Sequence, residues 1–105
     1  EKGFYKGAIA RTYYFVFHLV KALLFSLGLE PKSHEGAVHL FNLHFIRKDK
    51  IEPSYGKLFS RLQKYREQAD YDPATVFSRA DVEEELIIAK RFAQAVKAYL
   101  KAHKF

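Results

Sequence analysis

The chain has 105 residues, 49% of them hydrophobic, and 18 Lys and Arg against 12 Asp and Glu give a formal charge of +6. These values describe one globular domain, residues 1–105, with material for a single core, and they exclude a disordered chain. No cysteine is present, which excludes a disulfide framework and a thiolate metal site and points to a reducing, cytoplasmic setting.

Methionine is absent too, even at position 1, so terminal segments of a longer reading frame are expected to be missing. Ten Phe and seven Tyr without a Trp are unusual. Large rings need partners, so a deep core or a self-association surface is expected.

The first predicted helix runs from Phe4 to Leu27, with Tyr13, Phe17, Val20, Leu24 and Leu27 as its seam and Ile9, Val16 and Leu23 widening it. Its polar stripe is narrow: Arg11, Tyr14, His18 and Lys21. A helix of that kind is buried on more than one side. Its apolar stretch holds His18 and Lys21 inside about fifteen residues, short of the ~20 that a membrane span needs. No cleavage-like site follows, so a signal peptide is not expected. Gly28 ends this helix and Pro31 prevents its continuation.

Ser33 is placed to cap a second helix, His34–Arg47, with Val38, Phe41 and Phe45 inward. Residues 48–54, with Asp49 and Pro53, read as a loop. A third helix, Ser54–Ala69, turns Tyr55, Leu58, Leu62, Tyr65 and Ala69 inward and Lys57, Arg61 and Lys64 outward. The connection Asp70–Phe77 contains Pro73. Ser78 and Asp81 then form a capping box for a fourth helix, whose seam is Val82, Leu86, Ala89, Phe92, Val96, Tyr99 and Leu100. Glu83–Glu85 near its start and Lys97, Lys101 and Lys104 near its end match the helix dipole. The predicted fold is all-α, an antiparallel up-down-up-down four-helix bundle.

Residues 47–66 hold seven Lys and Arg against Asp49 and Glu52, a basic segment that reads as a solvated face or as an attractor of phosphate. His34, His39 and His44 are spaced by five, about 140° apart around a helix, so no two share a face, and there is no HExxH. No metal site is expected. No GxGxxG, Walker motif or GxSxG is present, so no cofactor is expected either. At the end of the third helix Asp70 lies four residues after Arg66 and on the same side. The pair reads as a helix-ending ion pair with Tyr71 packed under the loop, or as a phosphate-holding arginine beside a carboxylate.

Several segments taken together resemble the HEPN (higher eukaryotes and prokaryotes nucleotide-binding) domains. They are Arg11-Thr12-Tyr13-Tyr14-x-x-Phe17 with Ala22-Leu23-Leu24, then Lys32-Ser33-His34-x-Gly36 and Phe41, then Arg66-x-x-Ala69-Asp70-Tyr71, and Ala89-x-x-Phe92. The resemblance implies a helical bundle that dimerises and partners a minimal nucleotidyltransferase. It also implies kinship with metal-independent ribonucleases, toxins among them. In these the signature is an Arg followed four to six residues later by His, contributed by both subunits. Arg66 matches that Arg and Glu67 the polar residue after it, but Asp70 and Tyr71 stand where the His would be. At neutral pH Asp is a poor acid and Tyr a poor base.

Three readings follow. The first is a dimeric module binding RNA or nucleotide phosphate through Arg66, Lys57, Arg61, Lys64 and His34, in a toxin–antitoxin or defence setting. The second is an endoribonuclease using Arg66 and Asp70 with Tyr71 or His34. The third is a protein-interaction scaffold with no nucleic-acid role.

Overall fold

A computed structural model describes residues 2–72 and 74–103. Pro73 and Lys104, read above as a helix break and a helix-end charge, lie outside the described residues. Four helices follow in order: α1 (Lys2–Ser26), α2 (His34–Phe41), α3 (Pro53–Tyr71) and α4 (Arg79–Ala102). There is no strand among the described residues. The antiparallel bundle expected from the sequence is the fold observed.

Helix α1 is the spine, packed against α3 and α4 with α2 alongside. Its inward row is Ile9, Tyr13, Val16, Val20, Leu23 and Leu24, all essentially without exposed surface. This shifts the expected seam: Phe17 is only half-buried, and Leu27 is exposed beyond the helix end. The outward row carries Arg11, Tyr14, Phe15, His18 and Phe25, all exposed, so both faces of the helix carry large rings, the outward one mixed with polar groups. By length and composition Phe4–Ser26 is long and apolar enough to cross a membrane, longer than the fifteen residues counted from sequence. Within the fold its inward row is core.

Gly28 adopts φ 75°, where a side chain is strained, and lets the Leu29 N–H reach back to the Leu24 carbonyl at 2.9 Å. Ser33 caps α2 by accepting from the Gly36 N–H at 2.9 Å. The second helix is not uniform to Arg47. After Phe41 it widens into a π turn, Asn42–Ile46. Pro53 serves as a first-turn residue of α3, where its missing N–H costs nothing, so α3 starts one residue before the expected boundary. The Ser78–Asp81 capping box forms as expected, with both bonds at 3.0 Å.

The core is aromatic. Phe41 meets Phe92 at 5.7 Å and Phe59 at 6.3 Å, joining α2, α3 and α4, while Tyr13 meets Phe59 at 6.0 Å. Phe77 folds back onto Tyr65 at 5.5 Å and pins the last connection. Two expectations on α4 change: Leu86 is exposed, and Glu85 from the acidic run is buried in its place.

Candidate functional site

The beginning of α2 and the last turns of α3 face the middle of α1. Between them lies a cavity of about 300 Å³ lined by Tyr13, Ser33, His34, Glu35, Gln63, Arg66, Glu67 and Asp70. Arg66 and His34 are 32 residues apart in sequence, and the antiparallel packing brings them to one cleft. The sequence could not make that connection.

The tyrosine pair of α1 mounts both groups. Tyr14 lies under the Arg66 guanidinium at 4.6 Å and Tyr13 at 5.6 Å, a cation–π arrangement. The Tyr13 hydroxyl is hydrogen-bonded to His34 Nδ1. The His34 ring is stacked 5.4 Å from Tyr13 and meets Phe17 tilted at 4.6 Å. Burial pushes the Tyr13 phenol up to about 12, with the nearby Arg66 charge acting in the opposite direction.

The expected Arg66–Asp70 ion pair does not form. Among the described residues Arg66 has no carboxylate within salt-bridge distance, although Glu35, Glu67 and Asp70 border the same cavity. The guanidinium lies on the ring faces instead. Tyr71 does not pack under the loop: it is 87% exposed and sits outside the cavity, over a shallow depression shared with Lys64, Glu67, Gln68 and Asp72.

The expected basic face of α3 divides into three. Lys57 borders a depression with Asn42, Ile46 and Ser60 at the π turn, and Lys64 lies beside Tyr71. Arg61 is only partly exposed and is held by an ion pair. Its Nε and Nη2 donate to the two carboxylate oxygens of Glu85, both at 2.8 Å, and this bond raises the Arg61 pKa further. A carboxylate buried on α4 needs a cation, and among the described residues Arg61 supplies it. Tyr13, Ser33, Glu35 and Gln63 line the candidate cavity and Tyr14 adjoins it through Arg66, and site reasoning from sequence missed all five. The consecutive tyrosines Tyr13-Tyr14 were the available signal. Among the described residues no cluster of His and carboxylates could hold a metal ion.

An all-α bundle with an arginine and an imidazole lining one cleft is the class of fold defined here. The chain belongs to the HEPN domain family, whose profile matches residues 1–99. It is 38% identical over 103 residues to a Methanocaldococcus jannaschii protein named "putative toxin", covering 96% of this chain and 75% of that one. A second protein of that organism with the same description is 32% identical over 97 residues, covering 92% and 66%. A Thermotoga maritima protein named UPF0332 protein is 30% identical over 95 residues, covering 90% and 72%. The chain therefore spans between about two thirds and three quarters of these relatives' length. No solved structure matches at the stringency that these relatives meet.

Proposed function

We propose that this chain is a dimeric RNA- or nucleotide-phosphate-binding module of the toxin type, acting with a minimal nucleotidyltransferase partner. One observation carries the reading: Arg66, without a carboxylate partner among the described residues, shares a cavity with His34. A guanidinium held over two tyrosine rings and bound to no carboxylate among the described residues keeps N–H donors for phosphate oxygens. The relatives named as toxins support the setting.

The cavity also holds Glu35, Glu67 and Asp70, three carboxylates against one guanidinium, so by formal charge its lining in a single protomer is net negative. A second copy would bring its own Arg66 together with the same three carboxylates, so the case for a dimer rests on apolar surface and not on charge. The outward row of α1, with Tyr14, Phe15 and Phe25 exposed, is the apolar surface suited to that contact, and Tyr14 continues it to the cavity edge.

Sedimentation at micromolar concentration tests the dimer, and a clean 12.3 kDa species refutes it. Titration with a single-stranded oligoribonucleotide at several salt concentrations tests the ligand. Affinity should fall steeply with salt as counterions are released. Salt-insensitive binding, or none, refutes the reading.

His34 in the cavity also supports a second reading, a metal-independent endoribonuclease in which this imidazole replaces the one missing after Arg66. Cleavage of the oligoribonucleotide in the presence of a chelator, lost in His34→Ala, would favour it over binding alone.

A further inference from the structure

We propose that Tyr13 is a positioning residue for His34: its hydroxyl donates to Nδ1 and fixes the neutral imidazole as the Nε2–H tautomer, presenting a donor to the Arg66 cavity. This deepens, and rests on, the phosphate-site reading above.

The argument starts from proton placement. Tyr13 has no exposed surface and is held by ring contacts to Phe17 and Phe59, both near 6 Å. Its hydroxyl has one hydrogen-bond partner among the described residues, His34 Nδ1. If Nδ1 carried the hydrogen and donated it, the buried phenol proton would be left without an acceptor, which is costly. Among the described residues no buried side-chain polar atom lacks a partner. Burial also keeps the phenol protonated, up to about 12, so it has a proton to give at any ordinary pH. The hydrogen of the neutral imidazole then belongs on Nε2.

Tyr13 stacked on His34 and Phe17 tilted against it limit the rotation of the imidazole. The charged and titratable groups that share its cavity are Tyr13 on α1, Glu35 on α2, and Arg66, Glu67 and Asp70 on α3. An Nε2–H in the cavity that Arg66 also lines suits an anionic oxygen of a bound phosphate. It does not suit removal of a proton from a ribose hydroxyl, because the nitrogen that would accept that proton is already occupied. To act as a base, neutral His34 would first have to exchange tautomers and break its bond to Tyr13. The dyad therefore favours holding phosphate over cleaving RNA.

The test is long-range nitrogen–proton NMR on histidine-labelled protein, in the alkaline range where imidazole is neutral. The parent should show a protonated Nε2 and a bare Nδ1 for His34. Tyr13→Phe keeps the ring stack, and a thermal melt checks that it folds. It should give an averaged tautomer pattern and bind inorganic phosphate roughly two- to tenfold more weakly. His34→Gln keeps a side-chain donor, and adding Tyr13→Phe to it should change phosphate affinity by less than about twofold, as expected if Tyr13 acts through His34. A protonated Nδ1 in the parent overturns the proposal, as does an unchanged pattern in folded Tyr13→Phe. A parent that does not bind inorganic phosphate would refute the phosphate-site reading instead. The nitrogen pattern would still decide the role of Tyr13.

Discussion

Replacing Arg66 with alanine removes a guanidinium that lies 4.6 Å from the Tyr14 ring and 5.6 Å from Tyr13 and forms no ion pair among the described residues. The stability cost is therefore that of a partly exposed cation–π contact, about 0.5–1 kcal/mol. For a domain of this size that lowers Tm by roughly 2–8 °C. Had Arg66 been locked to a buried Asp70, its loss would have cost about 3–5 kcal/mol. For binding the expectation is the reverse. Losing charge-assisted hydrogen bonds to phosphate, worth about 1.5–3 kcal/mol, should weaken inorganic phosphate or RNA binding roughly ten- to 150-fold. Asp70→Asn removes a carboxylate from the cavity and should leave Tm nearly unchanged while holding or tightening phosphate affinity. Thermal melts beside a binding titration measure both quantities. If Arg66→Ala costs 3 kcal/mol or more and binding per folded molecule is unchanged, Arg66 is structural and the site assignment fails.

Arg61→Ala should be the more damaging substitution on α3, because it strands the buried Glu85 carboxylate. A loss of about 3 kcal/mol by urea unfolding is expected, at the low end for a buried pair because Arg61 is 35% exposed, and Arg61→Met with Glu85→Leu should recover most of it. The fold should also weaken in alkali. Tyr13 ionises near 10.0 when unfolded and at about 12 when folded, so its contribution is complete below pH 10 and is lost as pH rises toward 12. Solvent in the adjoining cavity screens part of this, leaving about 1–2 kcal/mol that Tyr13→Phe should not show in the same pH series. Gly56→Ala should cost about 1–3 kcal/mol, since a Cβ there would lie 3.0 Å from Asn42 Oδ1 and 3.3 Å from Ile46 Cγ1. A stability loss of only a few tenths of a kcal/mol would show that the π turn gives way.

Helix number, caps and punctuation were legible because each rests on local chemistry: Ser33, Ser78 with Asp81, and Gly28 act within a few residues of themselves. Helix faces were less legible. On α1 both sides carry large rings, so periodicity alone could not tell the inward row through Ile9, Val16 and Leu23 from the row through Phe17 and Leu27. Glu85 was misread for a related reason. An acidic run at a helix start satisfies the dipole whether or not one member turns inward, and only the partner on α3 decides which. The π turn at Asn42–Ile46 has no local signature in residues as ordinary helix formers as Leu43 and Ile46. In the site, Arg66 was visible, but its neighbours were not. His34 reaches the cavity through tertiary packing that sequence spacing does not encode.

The arrangement also gives physical content to the departure from the usual signature. With an arginine and a histidine on one helix, the separation of the two groups is set by that helix. In this chain Asp70 is exposed at the cavity edge and Tyr71 points away from it, while the imidazole comes from the first residue of α2. A pair split across two helices keeps its geometry only if a third element holds both members. Tyr13 and Tyr14 do so, one bonded to His34 and lying beneath Arg66, the other beneath the guanidinium at closer range. Because Tyr13 is also a fully buried member of the core, the site inherits its rigidity from the packing of α1 against α3. The residues that give this chain its core and those that aim its site are, at Tyr13, the same.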